Sequence, residues 1–250
     1  MQIVILAAGQ GKRLSLPSDE LPKCLVPIIK DTPYLAYQFE GLKGSPFSKK
    51  IIVGGHGFRH LKGYLDRFNP LHAELVFNPD YQKGNLYSLL TAKEGLSEGF
   101  YIFNADHYYS PQNYRKIFVI DDGGDQTRAI TIYCDRDRTL CDDDMKVRVS
   151  TDHRFEVMDK RLKTFAYGYV GVTCVPKGRA GAYWQALKET GEALGDAANV
   201  ESVINRLAEN GERIDIIDIS GSWWTEIDTP EDLEKARCTI LNHTPQGRIS

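Results

Sequence analysis

The chain has 250 residues, 42% hydrophobic and 26% charged, which is ample apolar material for a substantial core. A formal net charge of −3 gives no basic footprint for nucleic acid, so an anionic ligand must be gathered by a local cluster of Lys and Arg. The five cysteines (Cys24, Cys134, Cys141, Cys174 and Cys238) are odd in number and lack C-x-x-C or Cys/His ligand spacing, which argues against a disulfide framework or a zinc site.

The apolar start Ile3-Val4-Ile5-Leu6-Ala7-Ala8 is too short for a membrane span and follows no charged segment. The expectation is a cytoplasmic protein with no membrane partner. Residues 1–8 instead suit a strand buried on both faces, with Gly9 opening a turn. Leu35, Phe39 and Leu42 share a helical face, and 50–53 reads as a second strand. Phe58, Leu61, Leu65 and Phe68 recur along one helical stripe. Residues 73–77 then predict a strand, Leu86, Leu89, Leu90 and Leu96 a helix, and 100–104 another strand. Such alternation points to a parallel sheet covered by helices.

The second half is more mixed. Residues 129–134 read as a strand, 145–150 and 154–158 as a hairpin turning at Thr151-Asp152-His153, and 166–175 as a further strand. A helix is expected from about Ala180 and another over 200–207, closing at Asn210-Gly211. Residues 213–219 alternate as a strand, and Thr229-Pro230-Glu231-Asp232 carries a full helix-start signature. No linker or repeat interrupts the chain. The predicted fold is α/β: a mostly parallel, Rossmann-like central sheet flanked by helices, with inserted β-hairpin elements. Residues 1–250 are expected to form one domain, with 1–120 as a nucleotide-binding half and 121–250 as an acceptor-binding half.

The segment Leu6-Ala7-Ala8-Gly9-Gln10-Gly11-Lys12-Arg13-Leu14 sends a buried strand into a glycine-containing loop with basic side chains. Glycines let backbone N–H groups approach phosphates, and the carboxyl end of a parallel strand is where a nucleotide is expected. The loop is not a P-loop, and it lacks the third glycine of the dinucleotide fingerprint, which disfavours an NAD-type protein. Alone, it is an ordinary tight turn. Paired with Leu21-Pro22-Lys23-Cys24-Leu25-Val26-Pro27, it resembles the LAAGxGxR and PKxL motifs of the nucleotidyltransferase superfamily of sugar-phosphate and phospho-alcohol enzymes, whose fold is GT-A-like.

That resemblance implies in-line attack of a phosphate oxygen on the α-phosphorus of a nucleoside triphosphate, with pyrophosphate leaving. It places the nucleotide on Leu6, Ala7, Ala8, Gly9 and Gly11, Arg13 on the leaving phosphates, and Lys23 between the α-phosphate and the acceptor. It implies Mg2+ as cofactor, held by Asp106 after the 100–104 strand and by Asp228 in Trp224-Thr225-Glu226-Ile227-Asp228. His107 would touch water on the metal or simply pack beside the site.

Asn85-Leu86-Tyr87-Ser88-Leu89 resembles the cytidylyltransferases that activate phosphocholine, inositol 1-phosphate and phosphonates, which favours CTP and a small phosphorylated acceptor. Asn85 and Ser88 would contact base or ribose, or else cap their helix; Gly55 would lie over the base, or else in a plain loop. For the acceptor phosphate, Lys160 and Lys146 compete. Tyr167 and Tyr169 would border the acceptor or complete a core edge, and Glu201 would meet an acceptor hydroxyl or amine or serve as a first-turn acid. Two alternatives stay open: a sugar 1-phosphate nucleotidyltransferase and a catalytically silent nucleotide-binding module. The first is weakened by the absence of a Q-G-T-A base motif, and the second by the presence of both carboxylates. The apolar stretches leave room for a homodimer.

Overall fold

Every residue of Gln2–Ala7 (β1) is buried, because successive side chains enter apolar clusters on opposite faces of the sheet. Ile3 and Ile5 join Phe39, Tyr101 and Phe103, while Val4 and Leu6 join Val53, Leu86 and Leu89. The structure is a computed structural model that describes residues 1–14, 21–118 and 128–243. After β1 the chain forms the short strands Pro27–Ile29 (β2) and Thr32–Pro33 (β3), helix Tyr34–Leu42 (α1), strand Lys49–Gly54 (β4), helix Phe58–Leu65 (α2) and strand Glu74–Phe77 (β5). Helix Asn85–Ala92 (α3), strands Phe100–Asn104 (β6) and His107–Tyr109 (β7), and helix Pro111–Ile117 (α4) follow.

The second half contributes strands Ile130–Asp135 (β8), Lys146–Val149 (β9), Phe155–Asp159 (β10) and Tyr167–Val175 (β11), then helices Ala180–Leu194 (α5) and Val200–Glu209 (α6). Strands Ile214–Asp218 (β12) and Trp224–Glu226 (β13) precede helix Pro230–His243 (α7). Among the described residues, nine strands form the main sheet in the order β10-β9-β11-β6-β1-β4-β5, with β8 on β11 and β12 on β8. The β6-β1-β4-β5 set is parallel, as is β8 with β12; β11 runs antiparallel to β6, β8 and β9. This is the expected mixed, mostly parallel sheet with an inserted hairpin, whose turn carries His153 at φ 58.

Sequence periodicity overran two helices. Phe68 packs beyond the end of α2, and Leu96 lies past α3 after a 3-10 turn, yet both keep the apolar contacts that made them look helical. The elements β2, β3, β7, α4 and β13 have no apolar period in the sequence that marks them. Helix α4 does carry local start signals, since Ser110 Oγ accepts from Asn113 N at 3.0 Å and Pro111 stands at the first position. At α7 the expected cap is present: Asp232 N donates to Thr229 Oγ1 at 3.2 Å, and Asp232 Oδ2 accepts from Thr229 N at 3.1 Å. Among the described residues no helix is long and apolar enough to cross a membrane.

Two features of the fold bear on the site. Strands β7 and β13 pair antiparallel, His107 opposite Glu226, and Ile227 N donates to Asp106 O at 3.1 Å, so the ends of β6 and β13 lie side by side. Strand β11 shifts register between Tyr169 and Thr173, with Gly171 at φ +76 inside the irregularity. A Cβ on Gly171 would stand 2.9 Å from His107 Nε2 and 3.1 Å from Asn104 Nδ2, so only glycine fits there.

Candidate active site

The glycine loop leaves β1 at Ala7 and is anchored on both sides, Ala105 N donating to Leu6 O and His56 N to Ala8 O, each at 3.1 Å. Gly11 turns the chain at φ 60 into a 3-10 turn, Lys12–Leu14, in which buried Leu14 pins the segment and Arg13 projects outward. A second 3-10 turn, Lys23–Leu25, buries Cys24 and Leu25 and leaves Lys23 facing the cleft.

Lys23 Nζ lies 2.6 Å from Asp106 Oδ2 and also contacts Asp228 Oδ1; its side chain is 12% exposed, against 25% and 26% for the two acids. Burial disfavours every charge here, yet mutual attraction outweighs it. The Lys23 ammonium is held above its ordinary pKa by the two carboxylates. Asp106 is held well below the carboxylate range by Lys23 and His107, and Asp228 is lowered by Lys23 and Arg13. Arg13 Nη2 reaches Asp228 Oδ2 at 2.9 Å, and Arg13 also pairs with Asp143.

On the far side of Asp106, His107 Nδ1 and Asp106 Oδ1 are 2.6 Å apart, and His107 Nε2 lies 3.8 Å from Glu226 Oε2. Desolvation opposes protonation of His107, but Glu226 and Asp106 raise its pKa overall. Glu226 is raised by burial, although His107 and Arg138 oppose that. The Trp224 indole stacks on His107 at 5.6 Å, and the Arg138 guanidinium lies 4.5 Å from the same ring.

Two cavities meet at this cluster. One of about 170 Å³ is lined by Leu6, Ala7, Ala8, Gly9, Lys23, Asn85, Ser88 and Asp106, with Tyr81 and Lys83 at its side. The other, about 290 Å³, is lined by Arg13, Asp106, Lys160, Tyr169, Glu201, Glu226 and Asp228. Asn85, Asn104 and Asp106 line both.

Most residues singled out in the sequence therefore converge, but several arrive in unexpected roles. Asn85 does not cap α3: its Oδ1 accepts from Val200 N at 2.9 Å, tying α3 to the start of α6. Ser88 is buried, its hydroxyl 3.0 Å from Asn78 Nδ2. Gly55 lines neither cavity; a Cβ there would meet Tyr81 Cβ at 2.2 Å and Ala8 Cβ at 2.9 Å, so it is a packing glycine behind the loop. Lys146 must be withdrawn from the acceptor site. It is buried, and its ammonium donates to the carbonyls of Cys141 and Lys160 at 2.7 and 2.8 Å, which leaves it no freedom to meet a ligand. Lys160 remains at the cavity, paired with Asp143 at 2.9 Å. Tyr167 is engaged by Arg136 instead. Glu226, Arg138, Asn104 and Asp143 were not anticipated. Glu226 was legible, for it lies two residues before Asp228 in the same motif, and both carboxylates line the second cavity.

The profile of the MobA-like NTP transferase domain matches residues 3–137, just over half of the chain. The chain belongs to this family. Among curated proteins, it is 26% identical over 245 residues to the bifunctional IPC transferase and DIPP synthase of Aquifex aeolicus, covering 98% of this chain and 53% of that protein. It is 36% identical over 117 residues to the choline-phosphate cytidylyltransferase of Streptococcus pneumoniae, covering 46% of this chain and 48% of the relative. The chain thus spans about half the length of these curated relatives. The structure of the inositol-1-phosphate CTP transferase from T. maritima superposes with a TM-score of 0.79 at 22% identity, covering 98% of this chain and 96% of the other, a likeness of fold.

Proposed function

We propose that this nucleotidyltransferase is a Mg2+-dependent cytidylyltransferase. It transfers CMP from CTP to a small phosphorylated alcohol or phosphonate, such as inositol 1-phosphate or phosphocholine, giving a CDP-alcohol or its phosphonate analogue and pyrophosphate. The observation that carries this reading is the Lys23–Asp106–Asp228 cluster at the junction of two cavities, one for each anionic partner. The similarity to enzymes whose names specify CTP or cytidylyl transfer supports the nucleotide assignment.

In this reading Leu6, Ala7, Ala8, Gly9 and Ser88 border the CTP cavity, and Arg13, which lines the second cavity, meets the leaving β- and γ-phosphates where the two cavities join. Lys23 lies between the α-phosphate and the acceptor phosphate, neutralising charge as they approach, and Lys160 holds the acceptor. One acceptor oxygen bonds to the α-phosphorus as the bond to the bridging oxygen breaks, and pyrophosphate leaves with that electron pair. The acceptor oxygen is already anionic, so no general base is required. Asp106 and Asp228 fit Mg2+: both present hard oxygens, both are about one-quarter exposed, and both converge on one cationic point. Among the described residues no group of three or more ligating side chains is present, so phosphate and water oxygens would complete the shell. When bound, the ion would supply further neutralisation of the phosphates. The continuous sheet through both halves supports 1–250 as one domain.

A thermal-shift series with CTP, UTP, ATP, GTP and dTTP in Mg2+ tests the nucleotide assignment. At a hundredfold excess over Kd, the preferred nucleotide adds about 2.7 kcal/mol, roughly 5–10 °C for a chain of this size. CTP is expected to give the largest rise; a larger rise with another nucleotide would remove the cytidylyl assignment.

A further inference from the structure

Among the described residues, six carboxylates line the acceptor cavity: Asp106, Asp143, Asp144, Glu201, Glu226 and Asp228. Five have cationic partners. Asp106 and Asp228 share Lys23; Asp143 pairs with Arg13 and Lys160; Asp144 and Glu226 pair with Arg138 at 3.6 and 3.4 Å. Glu201 is different. Among the described residues it has no ion pair and no side-chain hydrogen bond to another residue.

Nor is Glu201 needed to start its helix. Asn199 Oδ1 already accepts from Ser202 N at 2.8 Å, and Asn85 Oδ1 takes Val200 N. Burial raises the Glu201 pKa, its own backbone N–H together with the charges of Lys160 and His107 opposes that only in part, and a partly buried carboxylate with no cation in contact is costly. A ligand bearing positive charge would relieve the cost. The chemistry of the remaining walls narrows that charge. The aromatic rings lining the cavity are Tyr169, His107 and Trp224; Tyr169 is buried with its hydroxyl 2.9 Å from Thr173 Oγ1, and Trp224 already carries Arg138 and His107. A quaternary ammonium depends on free aromatic faces. A primary ammonium brings N–H donors that a carboxylate accepts strongly.

We infer that Glu201 makes the acceptor site selective for a phosphate or phosphonate ester bearing a protonated primary amine, an inference that rests on the cytidylyltransferase reading above. Initial rates of pyrophosphate release from CTP and Mg2+ test it, with O-phosphoethanolamine, 2-aminoethylphosphonate, phosphocholine and inositol 1-phosphate as acceptors. The two primary amines are expected to exceed the other two in kcat/KM by about tenfold or more. In Glu201→Gln that ratio falls towards one, chiefly through KM, whereas Glu201→Asp retains part of it. If Glu201→Gln does not fold, the wild-type ratio decides. A wild type that prefers phosphocholine or inositol 1-phosphate, or an unchanged ratio in Glu201→Gln, overturns amine selection and leaves the CTP reaction standing. Release with none of the four acceptors overturns both readings.

Discussion

Replacing Asp106 by Asn is expected to lower kcat/KM for pyrophosphate release on the order of 10³-fold, equivalent to about 4 kcal/mol of lost transition-state stabilisation. The substitution keeps the shape of the side chain and removes its charge where β6 ends and both cavities meet. Two consequences follow from the geometry. The Lys23 ammonium loses one of its two carboxylates, and the site loses half of the paired acids that fit Mg2+. The Mg2+-dependent part of the CTP-induced thermal shift should therefore vanish together with turnover, which separates loss of the cation site from general damage. Asp228→Asn is expected to act in the same direction. Turnover near wild type in Asp106→Asn would remove the metal assignment.

Lys23→Met carries the second large effect, and it should show in stability as well as rate. Activity is expected to fall by a further 10²–10³-fold or so, since one preorganised cation beside the transferring phosphoryl group is lost. The folded protein meanwhile retains two neighbouring carboxylates without their shared partner. Breaking such a pair costs about 3 kcal/mol, the low end of the usual range because both acids are about a quarter exposed. The pH dependence distinguishes this cause from simple loss of packing. In the wild type the Asp106 and Asp228 pKa values are depressed, so their stabilisation is present above the unfolded carboxylate pKa and lost as pH falls. Without Lys23 only His107 and Arg13 still oppose burial and mutual repulsion, so those pKa values rise relative to the wild type and the variant gains relative stability as pH falls. The stability gap between wild type and Lys23→Met, measured by denaturant titration, should be smaller at pH 5 than at pH 7.5. A gap independent of pH would mean that Lys23 acts by packing alone.

The sequence made the parallel half of the sheet legible because burial on both faces leaves continuous apolar runs, as in Ile3-Val4-Ile5-Leu6. It made the loop, Asp106 and Asp228 legible because their motifs are local. What it concealed was the joint between them. Strands β7 and β13 are three residues each and pair across more than a hundred positions, so no local period announces them. That ladder nevertheless brings Asp106 beside Asp228 and Glu226 beside His107. The choice between Lys146 and Lys160 was hidden for a related reason. Both are lysines near one hairpin, and only the fold shows that the first is enclosed by carbonyls while the second faces the cavity. The antiparallel course of β11, with its irregularity at Gly171, likewise depends on partners remote in sequence.

Cytidylyl transfer at the Lys23–Asp106–Asp228 junction has a simple kinetic signature. Its most direct test is the rate of pyrophosphate release by the wild-type protein with Mg2+, a mixture of phosphorylated alcohols and aminoalkylphosphonates, and each of the five nucleoside triphosphates in turn. Acceptor-dependent release that is fastest with CTP and abolished by EDTA is the predicted result. Faster release with UTP, ATP, GTP or dTTP, release that does not depend on the acceptor, or none with CTP would contradict it.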